Sequence, residues 1–73
     1  MSATLTAIIE REDPWYVALC PELDIASQGK TVEEARDNLR EALTLFFETA
    51  SAAEVHQRLK SEVYVTRVDV PIG

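Results

Sequence analysis

Apolar and polar positions alternate at period two over the first part of the chain. From Ala3 to Glu10, Leu5, Ala7 and Ile9 fall on one face and Thr4, Thr6 and Glu10 on the other, which predicts a strand. Ile8 interrupts the alternation, so both faces of this strand are expected to be partly covered. Arg11-Glu12-Asp13-Pro14 reads as a turn, because proline lacks the ladder donor and aspartate favours turn starts. Trp15 to Cys20 predicts a second strand, with Trp15, Val17 and Leu19 on one face and Tyr16, Ala18 and Cys20 on the other. The short connection makes the two strands an antiparallel hairpin. Pro21-Glu22-Leu23-Asp24 turns the chain again, and Ile25 to Gln28 predicts a short third strand ended by Gly29.

The period then lengthens to that of a helix. Thr31-Val32-Glu33-Glu34 matches a capping box, in which Thr31 caps the Glu34 amide and Glu34 reaches back to the Thr31 amide. Val32, Ala35, Leu39, Ala42, Leu43, Phe46 and Ala50 form one apolar stripe behind it, with Glu33, Arg36, Asp37, Arg40 and Glu41 on the solvated side. Leu45 lies off the stripe. Ser51-Ala52-Ala53-Glu54 repeats the capping pattern and predicts a bend near Ser51, with a short second helix to Lys60. Glu62 to Val70 predicts a last strand, in which Tyr64, Val68 and Val70 alternate with Val63, Val65 and Arg67, and Pro71 ends it. The predicted order is β-β-β-α-(α)-β, an α+β domain over residues 1–73. Its three-strand antiparallel meander carries the long helix on one face, and a fourth strand lies beside the first and parallel to it.

Size and composition narrow the function classes. A chain of 73 residues has a small core, and such chains are commonly completed by disulfides, a structural metal or oligomerisation. Cys20 is the only cysteine, which removes an intrachain disulfide, and Cys20 with His56 falls short of a zinc ligand set. Oligomerisation remains, so a homodimer or higher homo-oligomer is expected. No run approaches a membrane span, and Met1 to Thr6 has no basic residue or long apolar run, so a cytoplasmic protein without a leader is expected. The net charge is −6, from 13 acidic against 7 basic residues. That balance disfavours direct nucleic-acid binding and suits a basic protein partner.

Two segments together resemble one family. Asp13-Pro14-Trp15-Tyr16-Val17-Ala18-Leu19-Cys20-Pro21-Glu22-Leu23-Asp24-Ile25 is similar to the hairpin and turn of HicB-type antitoxins, with an aromatic pair starting the second strand and a Pro-acidic-Leu turn leaving it. Gln28-Gly29-Lys30-Thr31-Val32-Glu33-Glu34-Ala35 resembles that family's start of the long helix, and Asn38 and Glu41-Ala42-Leu43 continue the match. The resemblance covers about residues 5 to 50. It implies a partial RNase H-like fold without nuclease activity, whose members bind a small basic HicA-type RNase toxin and block its active site. Many members also carry a C-terminal DNA-binding segment. This sequence stops at Gly73 directly after the last predicted strand, so self-repression is not among the expectations.

The chemistry-bearing residues give little sign of catalysis. A metal-dependent nuclease needs carboxylates converging from strand interiors, whereas the acids here fall mostly at turns and on the polar helix face. His56 and Cys20 share no local motif, and a lone cysteine is usually a small apolar filler. With glycine only at positions 29 and 73, no phosphate-binding loop is present. No catalytic residue, metal or cofactor is therefore expected, and the orphan alternative is a homo-oligomer of the same fold binding another protein or a small ligand. The candidate partner-binding residues are Glu12, Asp13, Trp15, Tyr16, Glu22 and Asp24, an acidic and aromatic set at the two ends of the second strand. Their simpler reading is packing for the aromatics and turn chemistry for the acids. The candidate oligomer contacts are Leu45, Val63, Tyr64 and Val65.

Overall fold

Two tight turns fold the N-terminal part of the chain into an antiparallel meander. The structure is a computed structural model and describes residues 3–73. Strand β1 (Ile8–Glu12) pairs with β2 (Trp15–Cys20), which pairs with β3 (Ile25–Gly29), in the order β1-β2-β3. Helix α1 (Val32–Thr49) and a short α2 (Ala52–Arg58) follow. The architecture is α+β, three antiparallel strands and then two helices.

The first strand begins and ends later than Ala3–Glu10. Ile8 stands opposite Leu19, so Ala7 falls opposite Cys20, the last residue of β2, and residues 3–6 have no β2 residue left to pair with. At the other end Arg11 and Glu12 join the ladder opposite Tyr16 and Trp15, which shrinks the turn to Asp13-Pro14. The larger correction concerns the fourth strand. Residues 62–70 form no strand among the described residues and pair with nothing, parallel or otherwise. A strand exists only with a ladder partner. Here the chain is held at Lys60, whose amide donates to the Glu22 carbonyl at 2.8 Å, and then runs on with exposed side chains.

The alternation of β2 decides where the helix sits. Ala18 and Cys20 are fully buried against α1 together with Leu23, Ala35 and Leu39, and Leu5, Ile9, Tyr16, Ile25, Leu43 and Phe46 pack around them. The predicted stripe therefore faces the sheet, except that Val32 in the first turn stays exposed. Gly29 lets β3 run close under the start of α1: a methyl group there would lie 2.5 Å from the Ala35 nitrogen and 2.7 Å from the Glu34 carbonyl carbon. Both caps form. Thr31 Oγ1 accepts from the Glu34 amide at 3.0 Å and Ser51 Oγ from the Glu54 amide at 3.1 Å. The Glu34 carboxylate, however, accepts from the Lys30 amide, one residue earlier than the capping-box reading placed it. Helix α2 docks through Arg58, which donates to the Leu23 carbonyl at 2.9 Å and lies 5.1 Å from the Phe46 ring centroid.

Candidate partner-binding surface

One sheet face carries α1 and the other is open. The register places Ile8, Glu10 and Glu12 of β1, Trp15, Val17 and Leu19 of β2, and Ala26 and Gln28 of β3 on the open face. Ile8, Val17 and Leu19 are half-buried, while Trp15 at the end is exposed. Glu10 stands directly opposite Val17, and Glu12 opposite Trp15. The result is a short apolar strip edged along β1 by two exposed carboxylates. Arg11, the one cation in the three strands, alternates to the helix side. An apolar strip with a single-sign rim is suited to a partner with a cationic rim of its own.

The six candidate partner-binding residues divide between two ends of β2. Glu12, Asp13, Trp15 and Tyr16 gather at the hairpin tip. There the Arg11 guanidinium donates to Tyr16 Oη and pairs with Asp13 Oδ1, each at 3.0 Å, and sits 5.1 Å from the Tyr16 ring centroid. Tyr16 and Asp13 are thus partly engaged within the chain, leaving Trp15 and Glu12 as the outward pair. Glu22 and Asp24 lie beyond the opposite end of the six-residue strand β2, on the order of 20 Å away.

At that far end both acids have work inside the fold. The Glu22 carboxylate accepts from the Thr6 amide with both oxygens at 3.1 Å, from Thr6 Oγ1 at 2.6 Å, and from Cys20 Sγ at 3.4 Å. Partial burial alone would raise its pKa, but the hydrogen bonds from Thr6 and Cys20 outweigh that and hold it below the ordinary glutamate value. The same burial pushes the Cys20 thiol up, with the nearby Glu22 carboxylate adding to the effect, so the thiol stays protonated and packed. Asp24 closes the turn with φ 56, a left-handed conformation that aspartate tolerates better than most residues, and its amide donates to the Cys20 carbonyl at 2.8 Å.

Other candidates scatter. His56 is exposed on α2 while Cys20 is buried under α1, so the two are not brought together. Among the described residues no group of three or more His, Cys, Asp or Glu side chains is placed to hold a metal ion. Leu45 is exposed on the outer side of α1, Tyr64 and Val65 are exposed after α2, and Val63 is half-buried. Sequence reasoning missed Ile8 and Glu10 as surface residues. The signal was present in the extra apolar position at Ile8, which marks a strand with apolar groups on both faces.

Two relatives carry the same kind of chain. UPF0150 protein ssl0738 of Synechocystis sp. is 50% identical over 50 residues, which is 66% of this chain and 69% of the relative. A UPF0150 protein of Helicobacter pylori is 31% identical over 67 residues, 90% of this chain and 93% of the relative. The chain belongs to the UPF0150 family. A match of that extent takes in all five elements, so the UPF0150 domain includes the meander and both helices. No family model matches the chain, and no solved structure does. Among the described residues no helix is long and apolar enough to cross a membrane.

Proposed function

We propose that this UPF0150 domain is a non-catalytic antitoxin of the HicB type, which binds a small basic RNase of the HicA type and occludes its active site. The observation that carries the reading is the open sheet face, an apolar strip of Ile8, Val17 and Leu19 ending in Trp15 and edged by Glu10 and Glu12. The net charge of −6 supports it by steering a cationic partner toward the domain. The apolar strip and the Trp15 ring supply the desolvated contacts that hold the complex once formed. The hairpin and helix-start residues that resemble HicB-type antitoxins support the choice of partner class.

The test is capture from a lysate of the native organism with the tagged full chain, followed by an RNase assay of the captured protein with and without excess chain. The expected result is a small basic protein whose RNase activity disappears as the chain is added. RNase activity that the chain leaves unchanged, or cleavage of RNA by the chain itself, contradicts the proposal. A second reading is a homo-oligomer of this fold that binds another protein or a small ligand between subunits. It is favoured by the large apolar surface left exposed after α2, and recovery of the chain alone as a defined oligomer supports it.

A further inference from the structure

A sheet face and a sheet edge recognise different partners. Strand β2 is laddered on both sides, to β1 and to β3, so the open face offers side chains and no free backbone groups at its centre. An element laid on that face gains no backbone hydrogen bond from it and must satisfy its own. A helix does so, and an isolated extended segment does not. The register fixes the layout of the face. Leu19, Val17 and Trp15 form one apolar column along β2, and Ile8 and Ala26 flank Leu19 from the two neighbouring strands. Glu10 borders the column beside Val17 and Glu12 beside Trp15, while Gln28 borders Val17 on the β3 side.

These dimensions suit a single helix. Three strands span about 10 Å across, which is also the diameter of one helix. Side chains on one face of a strand recur every ~7 Å, close to the ~6 Å between helix residues four apart. A helix lying along β2 therefore sets successive residues of its apolar stripe against Leu19, Val17 and Trp15. Lysines or arginines beside that stripe, again four apart, meet Glu10 and Glu12, which lie two residues apart on β1. A second sheet needs an apolar face several strands wide, whereas this column is bounded by two carboxylates on one side and an amide on the other.

Charge then selects which helix fits. Among the described residues neither the Glu10 nor the Glu12 carboxylate is paired with a cation; Arg11, between them in sequence, is turned to the other face and held by Asp13 and Tyr16. Ala26 is small and exposed, which leaves room for a neighbouring backbone to approach Leu19. A second apolar surface, the groove beside β1 floored by Leu39, Leu43 and Phe47, is flanked by Arg36 and Arg40 as well as Glu48, a net cationic rim that disfavours the same helix. We propose that the open sheet face receives one amphipathic, basic helix of the partner, laid along β2 with its apolar stripe on Leu19, Val17 and Trp15 and its cations over Glu10 and Glu12. This mode of recognition rests on the partner-binding role of the same face.

Trp15 is the only tryptophan of the chain, so its emission reports what covers the column. The test titrates the full chain with a peptide of about 16 residues made of leucine, lysine, alanine and glutamine, its leucines at helical spacing and its lysines along one side of them. One control peptide rearranges the same residues so that leucine and lysine alternate at period two, and a second keeps the helical pattern with glutamate in place of lysine. The expected result is a blue shift of Trp15 emission that saturates at one peptide per chain, with a Kd at least about tenfold tighter than that of either control. Ala26→Lys, beside Leu19, weakens binding at least about tenfold with circular dichroism unchanged, whereas Ala53→Lys, the same substitution on the exposed surface of α2, stays within about twofold. No blue shift at millimolar peptide, equal binding of the alternating peptide, or equal effects of the two lysine substitutions overturns the proposal. Inhibition of a captured RNase by a chain that does not bind the helical peptide overturns this mode of docking and leaves the antitoxin reading standing. A chain that binds the helical peptide but inhibits no captured RNase does the reverse.

Discussion

Glu22 shows how one residue, through its side chain and its backbone, can hold three parts of a small fold together. Its carboxylate ties down Thr6 ahead of β1 and receives the Cys20 thiol, while its carbonyl receives the Lys60 amide after α2. Because these bonds favour the charged form, the folded-state pKa lies below the ordinary value of 4.5. The resulting stability is present above that value and is lost as pH falls through the lower folded pKa. Glu22→Gln is therefore expected to unfold at lower urea than the wild type at pH 7, with the gap narrowing below about pH 4; urea midpoints across pH check this. A gap that does not change with pH would mean that the carboxylate charge is not what stabilises the site. Gly29 is a steric case. Gly29→Ala puts a methyl group against backbone atoms of α1, which can yield only by moving the helix, and a loss of about 1–3 kcal/mol is expected in denaturant unfolding.

Among the elements, α1 and β2 were the most legible in the sequence because their signals are local. The 3.6-residue stripe and the Thr31 and Ser51 caps need only a few neighbouring residues, and β2 is an unbroken apolar run bounded by turn residues at Asp13-Pro14 and Pro21. Thr31→Ala is expected to cost about 1 kcal/mol, since it leaves the Glu34 amide at the start of α1 without its acceptor. Ser51→Ala is expected to cost less, because α2 buries no residue and its fraying leaves the core intact; parallel urea titrations check the ranking. The bounds of β1 were not legible, because the length of a ladder is set by where the opposite strand turns away. The candidate site was legible only in part. Trp15 and Glu12 stand together as a cross-strand pair, but the scaffold role of Glu22 depends on Thr6, distant in sequence, and no local pattern announces it. Glu62–Val70 has the composition of a strand, yet pairing needs an edge, and among the described residues none lies against it.

At the scale of the molecule, the buried core consists of Ala18, Cys20, Leu23, Ala35 and Leu39, a small set for a chain of this length. Stability is then expected to come partly from association, and the unfolding temperature should rise with protein concentration. Two surfaces remain available to other molecules, the apolar groove beside β1 and the acidic open sheet face. The central claim concerns the second. It is tested most directly by titrating the RNase activity of the captured basic partner with the wild-type chain and with Glu10→Lys/Glu12→Lys, whose reversed charges sit on the exposed edge of that face. Stoichiometric inhibition by the wild type, weakened at least about tenfold in the variant and by added salt, is the expected result. Equal inhibition by both chains would place the contact elsewhere, and no inhibition by either would contradict the antitoxin reading itself.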